Sequence, residues 1–518
     1  MSKCSTNSMK VFNPWRRKPW DKRRIQHLYR RAGFGATPQQ IEWALTKTPS
    51  QVVDAIIVQA KSSTIMPAPW WADWSNKELR DGDGASKEGI GDSGNNDSGI
   101  RQLWVTSRAL IRHTMYDNMR SGSLRDRMVF FWMDHFASNE LNLRTPAMMY
   151  KKLALYQKHA LGNVRDFVRA VGLDPWMHKF LNGIDNTKSH PNENFARELF
   201  ELFTLGVDNK YTEQDIRETA RALTGYNTWD RQQGNGWPYG REGTDPIFTP
   251  ETFDDGDKTI FGQTGNWGYH DVIDILFTKR RWHVAHFICK KLYINFVSPE
   301  VKWKPLKRMI NTMLRNDFEI LPVLELILKS RHFFDDETIG SIIKSPIDIT
   351  IQFQRELELE TGEDSRGDSL NKFSEQTISM LAQDPINPPN VFGWPKDKTW
   401  LNSDSLIRRW DKCYNDILHQ RRMPNSSDQF EHFRDFARNM FGTNEKDAVK
   451  IAVDLIDHFL PNGLHYEDEY DEAIRVFKSN IPENHYQDGT WSLASSTVGR
   501  QVYELIIHIY KSPEFQLR

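Results

Sequence analysis

Helix starts punctuate this chain, and they constrain its fold more than any other feature. In ATPQQIEWAL, Thr37 stands as an N-cap, Pro38 at the first helical position and Gln40 three residues beyond the cap. That spacing satisfies the orphan N–H groups of a first helical turn reciprocally. YTEQDIRETARALTGY repeats the device with Thr212 and Asp215, and Gly225 supplies the stop. Apolar spacing predicts further helices over 101–119, 125–137, 146–160, 283–297, 320–331, 346–359, 404–421, 446–459 and 499–511. Alternating runs that would make strands are scarce, with short candidates within 240–262. The expectation is a mainly α protein, a large multi-helix assembly with long irregular aromatic-rich loops and at most short β pieces.

At 518 residues the chain exceeds one ordinary core, and the expected division is an arm (1–20), a main helical domain (21–425) and a C-terminal helical region (426–518). A hydrophobic share of 38% beside 26% charged residues belongs to a globular chain. The net charge of −1 gives no global field to recruit nucleic acid or an anionic membrane. Cys4, Cys289 and Cys413 are scattered, with no C-x-x-C pair, which excludes a cysteine zinc site and a disulfide framework. No signal-peptide pattern opens the sequence and no window of 18 apolar residues occurs, so the expectation is a cytoplasmic protein without a membrane span. Residues 81–99 read as a flexible surface loop. Asp81 and Asp83 suit a calcium loop, but Ser86 stands where its turn needs glycine. Residues 226–270, rich in Gly, Trp and Asp, read as a long ordered insertion that folds back and packs.

Four stretches carry residues that could do chemistry. In NENFARELFELFTLG, Asn192 precedes a helix on which Glu193, Arg197 and Glu201 are spaced four apart, while Phe and Leu cover well over half of the circumference. The charged strip is either an exposed paired face or the polar lining of a pocket on a central helix. The reading adopted is a polar interior shared with Arg30, Arg31 or His135. In RDRMVFFWMDHF, Arg127, Phe131 and His135 follow at helical spacing, and Asp134 beside His135 could orient an imidazole or hold a proton. In HLYRRAGFGATP, His27, Arg30 and Arg31 precede Gly33-Phe34-Gly35 and a helix start, either an anion cradle or a glycine-assisted turn with paired arginines. In DPINPPNVFGWPKDKTW, prolines and Gly393 fix a rigid loop bearing Asn390 and Trp394, suited to a polar ring ligand or to plugging the core.

Together these stretches resemble a bacterial family filed as domain of unknown function number 1800. The resemblance runs in order from about residue 20 to 420 through the first three motifs above, YTEQDIRETARALTGY, DDGDKTIFGQTGNW, KSPIDI (344–349) and NPPNVFGWP (387–395). It implies a large helical protein, often encoded beside a second family, number 1501, of exported sulfatase- or phosphatase-like proteins. That proximity implies a protein partner and a place at the envelope. The family pattern often has imidazoles where this chain carries Met133, Phe203 and Phe253. The resemblance therefore implies no metal or other cofactor here.

Two functions fit. One is a non-catalytic binding or assembly partner of an envelope or sulfatase-like protein. The other is a hydrolase or transferase acting on an anionic or glycan-type substrate, with Asp134, His135, Glu193 and Glu201 as acid–base candidates. His27, Arg30, Arg31, Arg127, Asn192, Arg197, Asn390 and Trp394 would then hold the ligand. No G-x-S-x-G, H-E-x-x-H or P-loop motif is present. Convergence of these residues on one roomy cavity would favour the enzyme, and dispersal or a filled cluster the binding partner.

Overall fold

A computed structural model of the chain describes residues 8–73, 96–139, 146–227, 245–363, 369–422 and 428–518. Helices dominate them, as the cap signals require. Thr37 and Gln40 form the reciprocal cap of Pro38–Leu45, and Thr212 and Asp215 that of Glu213–Ala222. The helices expected at 125–137, 146–160, 283–297 and 404–421 are Leu124–His135, Pro146–His159, Arg281–Phe296 and Ser403–Arg421. Strands among the described residues are two short antiparallel pairs, Tyr226–Asn227 with Ile247–Phe248 and Lys258–Ile260 with Gln263–Gly265. In the described part of the insertion, Phe248 packs between Tyr226 and Phe253, with ring centroids 5.3 and 5.5 Å away. Asp81, Asp83 and the rest of 81–95 lie outside the described residues, and 96–99 already belong to the Asn96–Ser121 helix.

Two apolar cores organise the molecule. The larger runs from Phe12 to Trp400; the second gathers Ile349, Phe353 and Ile417 with helices Glu431–Phe441, Ala448–Phe459 and Val498–Lys511. The Pro346–Glu356 helix serves both, and every one of its residues is buried. Ile347 and Ile351 enter the first core, Ile349 and Phe353 the second. At about 100° per residue, Asp348, Gln352 and Glu356 fall between those two faces. A polar strip buried on all sides must be matched by partners. It is, by arginines from three distant segments.

The central helix is thus Pro346–Glu356 and not the 193–206 stretch expected from its broad apolar face. Glu193–Glu198 continues as a π-helical turn, Leu199–Thr204, in which Leu205 N–H bonds back five residues to Phe200 O at 2.8 Å. Its charged side stays open to solvent.

Candidate functional site

The site is built from the end of one helix, the end of another and a proline-rich loop. Ser123 caps Leu124–His135, whose C-terminal turn delivers Asp134 and His135. Asp134 ties down the loop: Oδ1 accepts the Trp394 N–H at 3.0 Å and Oδ2 meets Lys396 Nζ at 2.8 Å. Gly393 makes the approach feasible. Its φ is +87°, and a Cβ there would lie 2.3 Å from Asp134 Oδ1. The loop lays Trp394 on Phe130, with centroids 5.2 Å apart and planes at 23°.

His135 faces the other way, toward the π-helical turn. The last carbonyls of a helix lack intrahelical donors. Here Phe203 O accepts from His135 Nε2 at 3.0 Å, and Leu202 O accepts from Lys291 Nζ at 3.3 Å. A carbonyl can only accept, so the imidazole proton sits on Nε2 and leaves Nδ1 as an acceptor. Lys291 Nζ donates to that Nδ1 at 2.9 Å. Burial, reinforced by the Lys291 cation, holds His135 well below the usual histidine range. Burial also pushes Lys291 down to about 7; Lys396 acts in the same direction and Asp134 against it.

These groups line a cavity of about 310 Å³ together with Phe131, Asn295, Trp394 and Arg518. Three of its lining residues carry buried polar atoms without a hydrogen-bond partner: Trp394 Nε1, Asn295 Nδ2 and Arg518 Nη1. All three are donors. Arg518 Nε lies 3.2 Å from Asp348 Oδ2 without the angle of a hydrogen bond. The other Asp348 oxygen takes Arg127 Nη1 at 2.7 Å, and these two guanidiniums hold the carboxyl well below its usual range against the opposing effect of burial.

The sequence of residues 27–517 decides the kinship. It matches the sequence model of the family described as a protein of unknown function, DUF1800. The chain belongs to the DUF1800 family. No curated protein and no solved structure matches it. In this DUF1800 chain, Phe203 and Phe253, two of the positions where the resemblance implied imidazoles, stand in separate surroundings. Phe203 adjoins His135 with centroids 6.4 Å apart, whereas Phe253 packs on Phe248 and beneath Lys258. Among the described residues no group of three or more His, Cys, Asp or Glu side chains is placed to hold a metal ion.

The residues expected to converge fall into three places. Asp134, His135 and Trp394 meet at the cavity. Arg30, Arg31, Arg127 and His27 are buried together in the interior and bond largely to protein acceptors, with His27 Nδ1, Arg30 Nη1 and Arg31 Nε and Nη1 left without a hydrogen-bond partner. Arg30 grips Glu356 with two parallel bonds of 2.7 and 2.8 Å, and Arg31 donates to Thr338 O at 2.9 Å. His27 Nε2 reaches Phe333 O at 2.8 Å. The Gly33-Phe34-Gly35 turn presents carbonyls rather than N–H groups: Gly33 O accepts from Arg127 and Gly35 O from Arg355, both at 2.8 Å.

The third place is the surface. Arg197 donates to Glu213 at 2.8 and 3.0 Å and to Glu193 at 3.2 Å, and Glu201 stands at 3.5 Å. Its side chain is 34% exposed and that of Glu213 60%. The expected polar interior shared with Arg30, Arg31 or His135 is therefore corrected to a solvated ion-pair face, because the charged strip points away from the core. Asn192 caps the same helix, accepting the Asn194 N–H at 2.9 Å. Asn390 is an exposed turn former, accepting from Phe392 N–H at 2.9 Å.

Lys291, Asn295, Asp348, Glu356 and Arg518 were missed. A signal for the first two existed. Phe287, Lys291 and Asn295 recur four apart on the Arg281–Phe296 helix beside the apolar Ile288, Leu292 and Ile294, so two polar side chains share one strip. Asp348 is the cap partner in KSPIDI, and only the fold reveals that the same carboxylate faces Arg127.

Proposed function

We propose that this DUF1800 chain is a binding protein that takes a small anion-bearing molecule into the cavity between His135, Lys291 and Trp394. One observation carries the reading. The unfilled buried polar atoms on residues around the cavity, Trp394 Nε1, Asn295 Nδ2 and Arg518 Nη1, are all donors. Buried donors left unpaired are costly, and a carboxylate, phosphate or sulfate would answer them together. The volume of about 310 Å³ suits a compact ligand, and the Phe131 and Trp394 rings give it an apolar wall.

The hydrolase reading finds less support. A general base must be free to take a proton from water. His135 has both ring nitrogens engaged, and each Asp134 oxygen already serves the loop. These side chains act as positioning groups, His135 for the π-helical turn and Lys291, and Asp134 for the loop.

Calorimetric titration with sulfate, phosphate, glucuronate and glucose tests the proposal. The anions bind and glucose does not. Trp394→Phe keeps the ring and removes the donor, and Arg518→Gln removes the charge. Each lost bond to a charged group costs about 1.5–3 kcal/mol, roughly ten- to a hundredfold in affinity. Absence of binding by every anion, or affinities unchanged in both variants, overturns it.

A further inference from the structure

Lys291 is held in a way that anion binding alone does not require. Its Nζ donates to His135 Nδ1 at 2.9 Å and to Leu202 O at 3.3 Å. Both partners are acceptors only, since Phe203 O fixes the His135 proton on Nε2. A tetrahedral nitrogen bonded to Cε and donating twice has one position left. On an ammonium it is a third N–H; on a neutral amine it is the lone pair. The neighbouring carboxylate, Asp134, is committed to Trp394 N–H and to Lys396, and no carboxylate forms an ion pair with Lys291 among the described residues. From the facing elements, then, His135 and Asp134 approach Lys291 on the Leu124–His135 helix, Lys396 on the loop and the Leu202 carbonyl on the π-helical turn. Burial and Lys396 bring its titration to about 7, so the neutral amine is populated near neutrality. Capping the Leu202 carbonyl, the plainer role, explains one of its two hydrogen bonds and requires no place on a cavity wall.

We propose that Lys291 captures a carbonyl-bearing anion, a 2-oxo acid or an aldehyde acid, as an imine while Arg518, Trp394 and Asn295 hold its acidic group. The inference rests on the anion-binding reading and names the ligand's second functional group. The Nζ lone pair attacks the carbonyl carbon, and the C=O π pair moves to oxygen. One Nζ proton passes to that oxygen, while His135 Nδ1, 2.9 Å from Nζ, orients the nitrogen. The carbinolamine then loses its hydroxyl with the second Nζ proton as water, leaving C=N. The carbonyl oxygen and the two amine hydrogens depart together, nothing is oxidised or reduced, and hydrolysis by the same path releases the ligand.

Reductive trapping tests it. The full chain is treated with pyruvate and sodium cyanoborohydride, and modified lysines are mapped by peptide mass spectrometry. Lys291 is expected to label at least tenfold faster than any other lysine, half-maximally near pH 7, and more slowly in excess sulfate. Lys291→Arg removes the adduct; should that variant fail to fold, the pH midpoint and sulfate competition on the unaltered chain decide the matter. Labelling spread evenly over surface lysines, or rising only near pH 10, overturns the imine. Calorimetry with pyruvate in the absence of reductant separates the two readings. Binding without Lys291 labelling leaves the anion site standing and removes only the imine. Absence of pyruvate binding while sulfate binds removes the imine alone, and absence of binding by every anion removes both.

Discussion

Charges of similar composition have opposite worth in this chain according to what surrounds them. Arg197 sits among three glutamates in solvent, and pairs of that kind are typically worth about 0.2–1 kcal/mol. Arg197→Leu is expected to lower unfolding stability by less than about 1 kcal/mol in a denaturant titration; a larger loss would mean the strip is packed. Arg30 and Glu356 are each 1% exposed. Arg30→Met strands the carboxylate and is expected to cost about 3–5 kcal/mol, while the double variant Arg30→Met/Glu356→Gln recovers part of it. The motif spelled out the arginine but not its partner, which lies 326 positions away. Nothing local distinguishes a glutamate that will meet that guanidinium from one that will meet water. Lys291 adds a pH dependence. Its ordinary value is 10.5 and its folded value about 7, so between them the unfolded chain binds a proton that the folded chain does not. The destabilising contribution is therefore full below pH 7 and fades toward 10.5. The stability of the unaltered chain rises relative to Lys291→Met between pH 7 and 10, measured by urea unfolding at each pH. A flat difference would place Lys291 in a wetter setting.

Elements were more legible than partners because their signals are local. A cap and its reciprocal residue are three positions apart, so Thr37–Gln40 and Thr212–Asp215 could be read directly. The 192–206 stretch was read with a uniform α-helical period, but from Leu199 the chain takes a π-helical turn that reorients its last carbonyls toward His135 and Lys291. Sequence periodicity has no marker for that widening. The proline-rich loop illustrates a third case. Its rigidity was legible from composition, while its anchor, Asp134, was suspected of chemistry and turns out to hold the backbone before Trp394. Gly393→Ala introduces a Cβ into the Asp134 carboxylate at a positive φ. It is expected to cost more than about 1 kcal/mol and to weaken anion affinity by displacing Trp394. Near-ultraviolet circular dichroism of the tryptophans and the sulfate titration check both effects. Unchanged affinity would detach the loop from the site.

At the scale of the whole molecule, the Pro346–Glu356 helix decides how the chain comes apart. The boundary expected near residue 425 followed the reach of the family resemblance, yet the second core takes Ile349, Phe353 and Ile417 from before that point. A helix buried along its entire length loses one packed face if either core opens; parting from the first core would strand Glu356 and Asp348 without Arg30 and Arg127, and loss of the second would strip Arg30 of the His458 and Phe459 carbonyls. Separate melting of the two cores therefore exposes uncompensated charge as well as apolar surface, which couples them. Independent domains would instead show successive transitions. Trp132 belongs to the first core and Trp491 to the second, so each can report on its own surroundings when the other tryptophans are replaced. Both probes are expected to follow one urea transition with the same midpoint. Ile351→Ala, on the first-core face, and Ile349→Ala, on the second, each cost about 2–5 kcal/mol and shift both probes together. Midpoints that separate, or an Ile349→Ala effect confined to the Trp491 probe, would mean that the shared helix fails to transmit opening between the cores.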